Sequence, residues 1–200
     1  MLNIVTRVSL SKASKKTINS LTKKKGSLTV NSWSTISKRV KNEISKKLSY
    51  NQRGKCAYCE RYLFGLGHEI DHFAHKALYP RFTFVTVNLY YSCSSCNSTA
   101  RKGQKATVLN LQQYYKDCTF LIVHPFFNNP DDEIKFIDED KVVFDRTQST
   151  ELGRNTIDFF KWDDFESTTI RARTLMFDRL SPLVSDEERK LISEIVTYKN

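Results

Sequence analysis

Two Cys-x-x-Cys pairs, Cys56/Cys59 and Cys93/Cys96, with 33 residues between them, constrain this 200-residue chain more than any other feature. Each pair can form a knuckle, a tight turn that presents two thiolates on one side, and two knuckles complete a tetrahedral site with sulfur at about 2.3 Å from a zinc ion. Gly54 and Lys55 before the first pair, and the serines inside the second, suit such turns. A redox role would need one Cys-x-x-Cys beside a βαβ unit and not two matched pairs. Because all four positions are cysteine, the expected site is closed, and its zinc holds structure without doing chemistry. It would fasten the two ends of the segment 56–96, which is too short to bury much core of its own. The fifth cysteine, Cys118, reads as a small buried hydrophobe.

A disulfide framework is disfavoured because nothing here reads as an export signal. Arg7 breaks the apolar opening Met1-Leu2-Asn3-Ile4-Val5, and lysines follow where a cleavage site would stand. No apolar run is long enough to span a bilayer. The expected location is therefore cytoplasmic, with no membrane partner.

Three segments follow from the pattern. Residues 1–52 form a basic arm and an amphipathic helix, 53–105 hold the cysteine pairs and everything between them, and 106–200 form a β-hairpin and helical part packed with the rest. Residues 1–30 show little periodicity and are expected to be an arm, part of which orders only on binding. From Trp33 the stripe Trp33, Ile36, Val40, Ile44, Leu48 predicts one helix with lysines on its other faces. Thr119 to Val123 reads as a strand, and Glu133–Ile137 with Lys141–Phe144 as a hairpin across Asp138–Asp140. Apolar positions from Ile157 to Leu180 predict helix, and Ser185-Asp186-Glu187-Glu188 fits the capping box of a last helix burying Leu191, Ile192, Ile195 and Val196. The fold class expected is α+β, mostly helical around small β elements near the cysteines.

The net charge of +10 is unevenly spread: residues 1–50 carry 12 Lys/Arg against the single acid Glu43, whereas residues 119–200 carry 17 acids against 11 bases. A basic front with an acidic back suits a protein that presents one face to a polyanion, although a solvated lysine-rich surface would look the same.

Between the knuckles stand Glu69-Ile70-Asp71-His72-Phe73, then Asn88-Leu89, with Cys96-Asn97 and Arg101-Lys102 closing the run. An Asp-His pair at a strand end sends its side chains to opposite faces, unless a bend brings both into one site. The order Cys-x-x-Cys, Glu-Ile-Asp-His-Phe, Tyr-Pro, Asn-Leu, Ser-Cys-x-x-Cys-Asn resembles the HNH endonuclease family in its zinc-bearing form, densely from Lys55 to about Lys105. The resemblance implies a ββα-metal motif braced by the four-cysteine zinc. It implies His72 as general base, Asp71 as ligand of a catalytic Mg²⁺ or Mn²⁺, and Asn88 as the residue that holds the loop and so orients His72. Asn97 then falls where a metal-ligating histidine often stands, and its neutral oxygen would complete the ion's site. Lys76, Arg101, Lys102 and Lys105 become candidate phosphate contacts, the last three on the motif helix. Glu69 is open between a hydrogen bond inside the motif and a surface position; His68 and His124 read as structural. Tyr58, Tyr62, Phe82, Phe84, Tyr90 and Tyr91 read as core.

The wider pattern, with Cys-Ala-Tyr-Cys-Glu and His-Pro-Phe-Phe-Asn-Asn-Pro-Asp-Asp, is similar to the nuclease subunits of Septu-type and some retron anti-phage systems. That likeness implies an ATPase partner docking on the acidic back. His75 departs from it, standing where proline is common. Two other readings remain open on sequence: a non-catalytic zinc-ribbon module that only binds nucleic acid, and a toxin-like nuclease directed at RNA.

Overall fold

A computed structural model of the chain describes residues 1–63 and 67–180, together with 185 and 187. Within these, α1 (Lys12–Lys25), the single turn α2 (Ser32–Thr35) and α3 (Lys38–Asn51) precede a two-stranded antiparallel sheet of β1 (Glu69–His72) and β2 (Leu89–Ser92). The single turn α4 (Ser94–Asn97) leads to a second small sheet, β3 (Val108–Asn110) with β4 (Thr119–Phe120). Another turn, α5 (Pro130–Glu133), precedes the hairpin of β5 (Lys135–Phe136) and β6 (Phe144–Asp145), and α6 (Glu151–Phe160) and α7 (Phe165–Leu180) follow. The architecture is α+β, with helices around three two-stranded sheets.

The helix expected from Trp33 is split. Ile36 and Ser37 are extended (ψ 148° and 146°), so Trp33 lies on α2 while Val40, Ile44 and Leu48 form the buried stripe of α3. That stripe packs on β2, and Gln52 at the end of α3 finishes the contact. Its amide accepts from the Tyr91 N–H at 2.8 Å and donates to the Tyr91 carbonyl at 2.9 Å, serving the outer edge of β2 as a neighbouring strand would.

The N-terminal segment is not an arm awaiting a partner. Leu2 N–H bonds the Ala57 carbonyl at 3.0 Å and Ile4 N–H the Pro125 carbonyl at 2.8 Å, while Ile4, Val8 and Leu10 enter the main core. Its signal is the period of two in Leu2, Ile4, Val8 and Leu10, a strand-like alternation overshadowed by the lysines that follow. Glu43, the one acid of residues 1–50, then clips α1 to α3. It accepts from Ser11 N–H at 2.6 Å and from the hydroxyls of Ser11 and Ser14, and those bonds, Ser14 first, draw its carboxyl down to about 2. The exposed lysines of both helices are left with little nearby acid.

The β5–β6 hairpin forms where the sequence placed it, with Phe136 opposite Phe144. The predicted strand at Thr119–Val123 is shorter than expected, and Ile122 and Val123 pass directly into the core. Of the aromatics read as core, Tyr62 is exposed. The residues that the helix expected from Ser185 onward would bury, Leu191, Ile192, Ile195 and Val196, lie outside the described residues.

The alternation at the N-terminus is testable. Ile4 is 7% exposed and Val5 80% exposed. Ile4→Asp is expected to cost about 3 kcal/mol or more in a urea melt, because it buries an unpaired carboxylate. Val5→Asp should stay within about 0.5 kcal/mol of the parent. Equal effects at the two positions would mean the segment is not packed this way.

Candidate active site and metal centre

The two knuckles meet. Cys56, Cys59, Cys93 and Cys96 place their sulfurs within 4.8 Å of one another, and all are free thiols. The Cys59 and Cys93 sulfurs stand 3.8 Å apart, which matches the edge of about 3.8 Å that a tetrahedron with 2.3 Å arms requires. The first knuckle turns through Glu60, whose φ of 63° is left-handed, and closes with Cys56 N–H on the Arg61 carbonyl at 2.9 Å. The second closes with Cys96 N–H on the Cys93 sulfur at 3.4 Å, and Cys93 N–H reaches the Cys56 sulfur at the same distance. Hydrogen bonds with Cys56 first, and with Cys96, draw Cys59 down to about 6 against the opposing effect of Cys93, and those with Cys56, Cys59 and Cys96 draw Cys93 well below the ordinary thiol range. Burial pushes Cys56 up, and hydrogen bonds with Cys56 and the other thiols push Cys96 up. Half-buried Arg61 lies 3.8 Å from the Cys93 sulfur and offsets negative charge there. Donor type, spacing and geometry fit a structural metal such as zinc.

The knuckles bracket β1 and β2, and β1 carries Asp71 and His72 on its two faces. His72 is only 2% exposed. Its Nε2 lies 3.1 Å from the Thr83 carbonyl, and a carbonyl only accepts, so Nε2 carries the hydrogen and Nδ1 the lone pair. Trp33 and the imidazole meet in a T-shaped contact, 4.8 Å between centroids. Burial draws the ring's pKa down to about 3, against the pull of Asp71, so His72 is neutral at any ordinary pH.

Asn88, fully buried, ties together the loop 73–88 that joins the strands. Its Oδ1 accepts from Ala74 N–H at 2.7 Å, and its Nδ2 donates to the carbonyls of Ala74 at 3.2 Å and Phe82 at 3.1 Å. One amide thus fixes the backbone just after His72 and the peptide that precedes Thr83, the acceptor of His72.

Asp71, 3% exposed, already has a cation. Lys102 is completely buried, and its ammonium donates to Asp71 Oδ1 at 3.0 Å and to the His72 carbonyl at 2.8 Å. The hydroxyl of Tyr58 donates to the other carboxylate oxygen. Asn97 makes no hydrogen bond to Asp71; its amide donates to Glu69, which makes Glu69 a partner inside this hairpin. As held here, Asp71 and Asn97 do not form a divalent-ion site.

The candidate phosphate contacts divide. Lys105 is exposed, with its ammonium over the Phe159 ring, and Lys76 is partly exposed and close enough to lower the His72 pKa. Arg101 is committed internally, to the Phe160 carbonyl at 3.0 Å, Ser167 at 2.9 Å and Asp164 at 3.6 Å. Lys102 is not on the surface. Nor do these residues sit on a helix: α4 ends where Ser98 turns extended (ψ 157°), and Lys102 N–H returns to the Cys96 carbonyl at 3.2 Å. That turn is what carries Lys102 inward to Asp71. Tyr58, Trp33 and the Thr83 carbonyl are site groups that sequence reasoning does not reach. Trp33 lies within the apolar stripe, and no sequence pattern announces a backbone acceptor. A cavity of about 270 Å³ beside Cys59, Arg61, Phe144 and Trp162 does not reach Asp71 or His72.

Two tests follow from this geometry. Cys56→Ser is expected to lose both bound zinc, by metal analysis, and the cooperative thermal transition; a mutant that melts like the parent would refute a structural metal. Burial also holds His124 near pKa 3, below its value of 6.5. A depressed histidine contributes stability that is complete above pH 6.5 and is lost as pH falls toward 3, by up to about 1.4 kcal/mol per pH unit. Denaturant melts at pH 7.5, 5.5 and 4 should show that decline, less so in His124→Asn. Compared with known protein families and with curated proteins, the chain matches none.

Proposed function

We propose that this chain is an HNH-type endonuclease that hydrolyses phosphodiester bonds of nucleic acid, with DNA as the first substrate to test. The observation that carries this reading is the combination at His72: a neutral imidazole whose Nε2–H is pinned by a carbonyl, on a loop clamped by Asn88, between the two cysteine knuckles. Pinning one nitrogen leaves Nδ1 as a lone pair of fixed direction, and its basicity rises toward the ordinary imidazole range once the site opens and the burial that depresses it is relieved. In the reaction Nδ1 takes a proton from water, the water oxygen attacks phosphorus, and the bond to the 3′ oxygen breaks with a solvent proton going to that oxygen. Mg²⁺ or Mn²⁺ would neutralise charge on the phosphate when bound, but Asp71 as held by Lys102 and Tyr58 does not offer it a site.

His72 is also covered. Trp33, on the one-turn α2, stands against the ring of a residue that is 2% exposed, so a shift of that turn or of the 73–88 loop would open it to a phosphate. A covered site suits an effector that stays silent until a partner or substrate moves it. On this reading an ATPase subunit docks on the acidic back, and the protein acts in anti-phage defence in the cytoplasm. The exposed Lys12, Lys15 and Lys16 of α1 and Lys38, Arg39 and Lys46 of α3 are a surface for backbone phosphates.

The neutralised Asp71 favours a second reading, a zinc-bearing module that binds nucleic acid without cutting it. The discriminating experiment is a plasmid nicking assay with Mg²⁺ or Mn²⁺, repeated on single-stranded RNA. Cutting by the parent, lowered at least about 10²-fold in His72→Ala with binding retained, is the expected result, and a requirement for the added metal would mean that Asp71 is released from Lys102 in the working state. Equal cutting by both proteins would overturn His72 as base, and salt-sensitive binding without cutting would favour the module.

A further inference from the structure

The loop that carries the Asn88 clamp is itself braced from outside, by two residues that the resemblance does not assign. Tyr115, in a short 3-10 turn (Tyr115–Asp117), and His124, just after β4, are both buried with Asn88. Tyr115 Oη lies 2.9 Å from Asn88 Oδ1 and 3.0 Å from His124 Nε2. The direction of every bond is determined. His124 Nδ1 accepts from the N–H groups of Phe126 at 3.1 Å and Phe127 at 3.2 Å, so it has no hydrogen. Nε2 must then carry the hydrogen and donate to the Tyr115 oxygen. Tyr115 in turn has its own hydrogen for Asn88 Oδ1. That leaves the Asn88 NH₂ facing the Ala74 and Phe82 carbonyls and excludes the flipped amide, which would set two donors against Ala74 N–H and the tyrosine hydroxyl.

We infer that Tyr115 and His124 are positioning residues for His72, acting through Asn88 as a one-directional hydrogen-bond chain. The inference rests on the nuclease reading for its consequence in turnover, although the chain of bonds stands apart from it. It also gives the third segment a role at the site. His124 N–H is held by Asn128 at 2.9 Å, and Val123 N–H by Thr156 of α6 at 2.8 Å, so the chain begins on a backbone anchored by the C-terminal part of the fold. A neutral His124, kept so by burial, is the protonation state that the chain requires.

The test pairs kinetics with amide exchange on the whole chain. Tyr115→Phe keeps the ring and removes only the link. It is expected to lower turnover at least tenfold, with KM and plasmid affinity within twofold and zinc content unchanged. By NMR, exchange of the Ala74 amide should quicken at least tenfold, while the Tyr91 amide, held by Gln52 on the other side of the hairpin, keeps its rate. His124→Gln, which can still donate to Tyr115, should retain more turnover than His124→Leu. Unchanged Ala74 exchange in Tyr115→Phe overturns the inference whether or not the protein cuts. A loss explained wholly by weaker plasmid binding, or equal loss in His124→Gln and His124→Leu, overturns it as well. Quickened exchange in a protein whose parent never cuts keeps the chain of bonds and removes the nuclease reading instead.

Discussion

Four cysteine sulfurs gathered within 4.8 Å of one another, from two knuckles on either side of one hairpin, form a cluster with the donors and spacing of a structural metal site such as that of zinc. The rest of the site depends on that constraint. β1 and β2 are four residues each and would be marginal alone. The cluster anchors residues on both sides of this hairpin: Cys59 ten positions before β1, and Cys93 directly after β2. A metal held there would cross-link the hairpin and limit the orientations open to the histidine it carries.

Two polar networks then use the two faces of β1. On one, Tyr58 and Lys102 saturate Asp71; on the other, Thr83 and Asn88 fix His72 and its loop. Breaking a buried ion pair on one side costs about 3–5 kcal/mol, so the Asp71–Lys102 pair is a firm part of the fold. It joins the segment after the second knuckle to the strand before the loop. The two faces therefore have different work: Asp71 ties the hairpin to the turn at residues 98–104, while His72 remains the group with an uncommitted lone pair. The bonds through Tyr115 and His124 extend the His72 side into the part of the chain that follows the motif.

Much of this is legible in the sequence because it is local. Cysteine spacing locates the four-cysteine cluster, the i, i+4 stripe of Val40, Ile44 and Leu48 locates α3, and turn residues around Asp138–Asp140 locate the β5–β6 hairpin. What stays hidden is set by distant partners. Lys102 looks like a phosphate contact until Asp71, 31 positions away, is seen to bury it. Asn97 looks like a metal ligand until Glu69 takes its amide. The N-terminal segment looks free until Ala57 and Pro125 accept its backbone hydrogens. His124 looks structural, and only the directions of its hydrogen bonds connect it to Asn88. Charge and residue type indicate what a side chain can do; the pairing across the fold decides which of these it does.

The central claim is that one metal held by all four cysteines brackets the strand that bears His72. X-ray absorption at the zinc edge on the purified protein tests it most directly. The account predicts one zinc per chain surrounded by four sulfurs at about 2.3 Å and no light-atom ligand. A mixed shell of sulfur with nitrogen or oxygen, or a protein that folds without zinc, would contradict it.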